Sequence, residues 1–157
     1  MTLDWQVELT MVGRALIAAV IGAAVGFERE WHGREAGIRT YGAVSLGACA
    51  FALISSHIPG ADPSRVAANV VTGVGFLGAG IILRDHGRTT GLTTAATIWA
   101  TAAVGTAIGF GMYPLGILTG AITFSLLAVH DLPGWNRLKR TGLEHPDGNR
   151  PSAGPKE

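Results

Sequence analysis

Between Arg88 and Asp131 the chain carries no Asp, Glu, Lys or Arg. An uncharged run of that length has few places to fold. A water-soluble element buries one face and wets the other, so charge recurs along it at helix or strand spacing. Two bilayer crossings, each needing roughly 20 apolar residues as helix, account for the run. The stretch before it, residues 69–83, is also apolar and holds Gly73, Gly75, Gly78 and Gly80. It meets the uncharged run at a short charged turn, Arg84-Asp85-His86-Gly87-Arg88. The sequence predicts a transmembrane hairpin over 69–105, with small residues where helices touch.

The rest of the chain agrees. Of its 157 residues 48% are hydrophobic and only 15% charged, against about 25% charged in ordinary globular domains. The charges cluster between long apolar runs, which places the chain in the membrane class. A net charge of +1 gives no reason to expect a nucleic-acid partner. Cys49 is the single cysteine, which excludes an intrachain disulfide and a cysteine-based zinc site. Asp4 and Glu8 make the N-terminal region acidic, unlike a cleavable signal.

Five spans are predicted, at 9–27, 39–57, 66–83, 91–109 and 112–130. Pro59, Pro63 and Pro114 fall in the intervening turns. The fold class is therefore all-α, a polytopic membrane bundle of five transmembrane helices. Residues 1–130 form the transmembrane domain. Residues 131–157 form a polar, Pro- and Gly-rich tail, expected to be disordered and cytoplasmic. Arg29, Arg34 and Arg39 lie in the first connector, Arg84 and Arg88 in the third, and Arg137, Lys139 and Arg140 in the tail. The other side has Arg65, with Arg14 inside the first span. The positive-inside rule then puts the N-terminus outside and the C-terminus in the cytoplasm.

An internal repeat accompanies this layout. His32-Gly33-Arg34-x-x-Gly37-Ile38-x-Thr40 recurs as His86-Gly87-Arg88-x-x-Gly91-Leu92-x-Thr94. As real symmetry it makes spans one–two and three–four equivalent hairpins of the same orientation, a parallel repeat.

Candidate sites follow from charge at the membrane boundary. Glu28, Arg29 and Glu30 come directly after apolar helix, where charge is costly unless paired or wetted. One reading is an interfacial anchor. The other is a fixed polar cluster in which Glu28 and Glu30 face Arg39 and the Arg84/Asp85/Arg88 turn. Arg34 and Arg88, at equivalent positions of the repeat, then reach one cytoplasmic site. Thr40 and Thr94 sit three residues into their helices and satisfy early backbone donors or bridge the hairpins. Such a site suits an acidic segment or anionic headgroups through its arginines, or a cation through its carboxylates. Arg14 snorkels to the outer surface or pairs within the bundle, with Asn69 the candidate partner. Small-residue packing is expected at Gly22, Gly26, Gly73, Gly75, Gly78 and Gly80. Thr93, Thr97 and Thr101 share a helical face and are expected to hydrogen-bond across helices, or, with Asn69 and Thr72, to line an ion path. Gly73-x-Gly75-x-x-Gly78 has the letters of a dinucleotide fingerprint, but lacks both the preceding strand and the acidic residue about 20 positions on. The five histidines show no metal-ligand spacing, and no nucleophile is paired with a base. No enzyme activity, cofactor or metal is expected.

Four blocks resemble the MgtC/SapB family of bacterial membrane proteins: Gly22-x-x-x-Gly26-Phe27-Glu28-Arg29-Glu30, Ala36-Gly37-Ile38-Arg39-Thr40, the run 73–83, and the run 91–99. The resemblance covers 3–127. It implies a multi-pass inner-membrane protein linked to growth at low magnesium and, in pathogens, to virulence. It implies a regulator of another integral membrane protein, the F-type ATP synthase or a cation transporter, with a homo-oligomer also open. Tyr41 stands where members often have histidine, and some members have Asn at the place of Thr93. Well-studied members also carry a soluble C-terminal domain, whereas a short tail follows Val129 here. The competing class is a transporter or channel subunit for a magnesium-related ion.

Overall fold

The computed structural model describes residues 4–85 and 88–129, with Asp85 and Arg88 described by backbone alone. The tail expected over 131–157 lies outside these residues. The element order is α1 (Trp5–Trp31), α2 (Ile38–His57), α3 (Pro63–Ile81), β1 (Leu83–Asp85), β2 (Arg88–Thr90), α4 (Leu92–Gly109) and α5 (Tyr113–Ala128). The protein is an all-α bundle of five helices. Helices α1 to α4 are long and apolar enough to cross a bilayer. At 16 residues α5 is shorter, about 24 Å at 1.5 Å per residue.

Local chemistry sets the helix ends. The Asp4 carboxylate caps α1 by accepting from the Gln6 amide at 3.4 Å. Asp62 caps α3, accepting from the Ser64 amide at 2.9 Å and its hydroxyl at 2.7 Å. Pro63 and Pro114, expected in turns, sit in the first turns of α3 and α5, where a missing N–H costs nothing. The turn between α3 and α4 is a two-stranded antiparallel hairpin that pairs Leu83 with Thr90 and Asp85 with Arg88.

Helix α4 is the hub, packing against each of the other four helices. Two clusters form the core. One gathers Val25, Tyr41, Ala48, Val74, Ile98, Ala102 and Leu127. The other gathers Ala18, Cys49, Leu53, Val104 and Ile108. Large apolar residues such as Leu16, Phe51, Phe76, Trp99 and Leu118 are more than half exposed. That inverted pattern is what a bilayer permits, since lipid tails are as apolar as leucine. Several hydroxyls bond inside their own helices: Thr101 donates to the Thr97 carbonyl at 2.8 Å, and Thr72 to that of Ala68 at 3.0 Å.

Close backbone approach occurs, but not wherever glycine was expected to provide it. A Cβ on Gly22 would lie 2.6 Å from the Tyr41 carbonyl, and one on Gly26 2.6 Å from that of Gly37. Both seat α1 on α2. Among the described residues, a Cβ added at Gly73, Gly75 or Gly80 meets nothing within 4 Å, and one at Gly78 makes only ordinary contact with Ala95. Helix α3 touches its neighbours along one narrow face, with Val74 and Gly78 buried, and these three glycines lie off that face. The tight α4 contacts are instead Gly105 against Ser45 and Gly109 against Cys49 and Ala52. The repeat is not mirrored here: Gly26 is clamped while its counterpart Gly80 is not, and Gly37 caps α2 at φ −117° whereas Gly91 caps α4 at φ 83°.

Candidate functional site: a buried ion pair at one end of the bundle

The last turns of α1 carry Glu28 and Arg29 into the bundle, each 6% exposed. Glu28 Oε1 lies 3.1 Å from His32 Nδ1, and Oε2 lies 3.8 Å from an Arg29 terminal nitrogen. His32 Nδ1 is also 2.8 Å from the Glu28 carbonyl. Among the described residues, Glu28 Oε2 and Arg29 Nε are buried without a hydrogen-bond partner. Removing a charged group from water costs several kcal/mol, recovered only when its remaining donors and acceptors are filled. The pair is therefore half satisfied.

Beneath it lies Tyr41, fully buried and within electrostatic reach of both Arg29 and Glu28. Its hydroxyl is 2.6 Å from Thr97 Oγ1. Thr97 spends its single proton on the carbonyls of Thr93, at 2.8 Å, and Thr94, at 3.1 Å. The phenol therefore donates to Thr97. This one contact joins α2 to α4 through the threonine face, while Thr101 bonds within α4 rather than across helices.

A cavity of about 790 Å³ opens beside the ion pair. Glu28, Arg29, His32 and Arg34 line one wall, Thr89, Gly91, Thr93 and Thr94 another, with Leu92, Leu126 and Leu127 completing it. Gly91 is placed by geometry: its φ is 83°, and a Cβ there would fall on the Ile81 carbonyl. It caps α4 without a side chain. The first α4 bond runs from the Ala95 amide to the Gly91 carbonyl, so the amides of Leu92, Thr93 and Thr94 precede the helical ladder.

The predicted cluster is thus divided. Arg34, Thr93 and Thr94 join Glu28 and Arg29. Glu30 turns away, because residues two apart on a helix do not share a face. Its Oε2 accepts from the Ile38 amide at 3.0 Å, capping α2. It lines a separate cavity of about 500 Å³ with Glu35, Gly37, Arg39 and Thr40. Thr40 is exposed there and does not meet Thr94. Arg84 is exposed on β1. The side chains of Asp85 and Arg88 lie outside the described residues. Asn69 is exposed on α3, beside a groove of about 680 Å³ between α2 and α3. It shares no face with Thr97 and does not reach Arg14. Arg14 is held inside the bundle instead. Its Nε donates to Tyr113 Oη at 2.9 Å and a terminal nitrogen donates to the Gly109 carbonyl at 3.1 Å, tying α1 to the α4–α5 turn. Among the described residues no group of three His, Cys, Asp or Glu could hold a metal ion.

The contacts of Tyr41 with Thr97 and of Tyr113 with Arg14, those of Gly105 and Gly109 with α2, and those of Gly116 with Ile108 and Gly120 with Ile21 were not anticipated from the sequence. The glycines carried the signal that singled out Gly22 and Gly26, two small residues four apart. For Tyr113 the only sign was a polar tip within an apolar run; Tyr41 also stood out as a departure from the histidine of the resembled family.

The profile of the family described as MgtC family matches residues 15–132. YhiD of Escherichia coli (strain K12) is 46% identical over 126 residues, covering 74% of this chain and 58% of YhiD. Protein SrpB of Synechococcus elongatus is 40% identical over 152 residues, covering 87% of this chain and 79% of SrpB. Protein MgtC of Salmonella typhimurium (strain LT2) is 45% identical over 98 residues, covering 62% of this chain and 42% of MgtC. The chain therefore spans less than two thirds of YhiD and of MgtC. No solved structure matches it.

Proposed function

We propose, starting from the fact that this chain belongs to the MgtC family, that it is a regulator acting by contact with another integral membrane protein. It is a multi-pass bacterial membrane protein, and the partner we favour is the F-type ATP synthase or a cation transporter under magnesium limitation. One observation carries the reading. On α3, Gly73 and Gly80 lie on the same side as Phe76, which is 84% exposed; among the described residues a Cβ added at either glycine meets nothing within 4 Å, and Gly73 borders the α2–α3 groove. In lipid, small residues mark where a neighbouring helix approaches. No described helix of this chain does so there, so the neighbour we infer is the partner's. We also propose that the ion-pair end faces the cytoplasm, since Arg29, Arg34 and Arg39 cluster there. Reporter fusions after Val129 should then read as cytoplasmic; a periplasmic signal rejects that orientation.

A magnesium transporter is the second reading, supported by the provisional name of YhiD. Against it, Asn69 and Thr72 lie outside on α3 while Thr97 turns inward to Tyr41, so they do not line one path. The test is a photo-crosslinking residue at Phe76 and another at Leu16 on α1, in cells grown at low magnesium. We expect one discrete membrane-protein adduct from position 76 and none from 16. The same protein in liposomes should carry no magnesium above protein-free vesicles. Equal adducts from both positions, or magnesium flux, rejects the contact reading.

A further inference from the structure

We propose that the cavity between the end of α1 and the start of α4 binds a zwitterionic phospho-amine headgroup, its phosphate on the Arg29 side and its ammonium on Glu28. The proposal does not rest on the contact reading. It follows from what the buried pair leaves undone.

Glu28 and Arg29 line the same cavity, and each keeps one buried polar atom that no described residue partners. The missing groups are opposite in kind. Arg29 Nε needs an acceptor, and Glu28 Oε2 needs a donor. Water could fill either, but charge-assisted hydrogen bonds are roughly twice as strong as neutral ones, so a ligand bearing both charges fits best. The phosphate side is reinforced independently. The α4 amides of Leu92, Thr93 and Thr94 lie at its capped start, where the helix dipole favours an anion. Thr93, Thr94 and Arg34 line the same cavity. On the ammonium side Glu28 is the only carboxylate lining the cavity among the described residues.

Size and position agree. A volume of about 790 Å³ lies within the roughly 300–1,000 Å³ of small-ligand sites. The cavity sits where α1 and α5 end and α4 begins, the level at which headgroups meet a spanning bundle. Leu92, Leu126 and Leu127 give it an apolar wall, suited to the glycerol and first acyl carbons. The same chemistry is presented by an aminophospholipid or by a soluble glycerophospho-amine.

The test uses the full chain in detergent, titrated separately with dioleoyl-phosphatidylethanolamine, dioleoyl-phosphatidylglycerol, glycerophosphoethanolamine and inorganic phosphate. Binding is read by native mass spectrometry, with a thermal melt on each variant. Phosphatidylethanolamine should bind at least tenfold more tightly than phosphatidylglycerol. Glu28→Gln should weaken the ethanolamine lipid about tenfold or more and leave phosphatidylglycerol unchanged, the effect of losing one charged hydrogen bond. Arg29→Gln should weaken both lipids. Arg34→Ala, at an exposed position, should weaken both by a smaller factor and keeps the test open if Arg29→Gln does not fold. Glycerophosphoethanolamine matching the lipid upholds the chemistry and makes the natural ligand soluble. Equal binding of the two lipids with no effect of Glu28→Gln overturns the proposal, as does binding by none of the four probes.

Discussion

Placing one methyl group at two glycines should move stability in opposite directions. A Cβ at Gly22 would sit 2.6 Å from the Tyr41 carbonyl and 2.6 Å from Ser45 Cβ. Neither is the flexible end of a side chain, so no rotamer change relieves the clash. The helices α1 and α2 must part by roughly 0.8 Å to restore a 3.4 Å contact. Overpacking of this kind costs about 1–3 kcal/mol, and the backbone contact argues for the upper end. Replacing glycine by alanine inside a helix returns about 1 kcal/mol. Gly22→Ala should therefore lose about 2 kcal/mol. At Gly75 an added Cβ meets nothing within 4 Å, so Gly75→Ala should keep the helix gain of about 1 kcal/mol. The separation of about 3 kcal/mol corresponds to roughly 6–12 °C between the two melting temperatures for a chain of this size. The assay is thermal unfolding of the purified chain in one detergent, followed by far-UV circular dichroism. Gly78→Ala, meeting Ala95 Cβ at 3.5 Å, should behave like Gly75→Ala. If Gly22→Ala melts at or above Gly75→Ala, the close approach of α1 and α2 is wrong.

Three further outcomes follow from named contacts. Tyr113→Phe removes one of the two hydrogen bonds holding Arg14 and should cost about 1.5–3 kcal/mol in the same melt; an unchanged melt means Arg14 is held elsewhere. Thr97→Val leaves the buried Tyr41 hydroxyl without its acceptor and should cost about 1–3 kcal/mol, whereas Thr97→Ser should stay close to wild type. The Asp62 carboxyl is held below its usual range by the Ser64 hydroxyl and backbone amide, so capping of α3 is present above the unfolded carboxylate value near about 3.9 and lost as pH falls through the lower folded value. Amide exchange in the first turn of α3 should accelerate with acid beyond intrinsic rates in the wild type, with no such extra step in Asp62→Asn.

Hydropathy is a property of short windows, and in a bilayer it is nearly the whole folding rule, because every backbone group must be satisfied within its own segment. That is why the sequence alone determined the membrane class, the five helices and the connectors between them. The family blocks were equally local, and the boundary charges at Glu28 and Arg29 marked one end of the bundle before any contact was known. Rotation about each helix axis and the choice of neighbour were decided only by tertiary structure. Both depend on residues far apart in the chain, and a step of two positions reverses a helical face. Glu28 was therefore separated from Glu30, and Arg14 found Tyr113 and the Gly109 carbonyl across the bundle instead of Asn69. The same glycine letters were clamped in α1, where Tyr41 and Gly37 press against them, and left open on α3, which touches its neighbours along one narrow face.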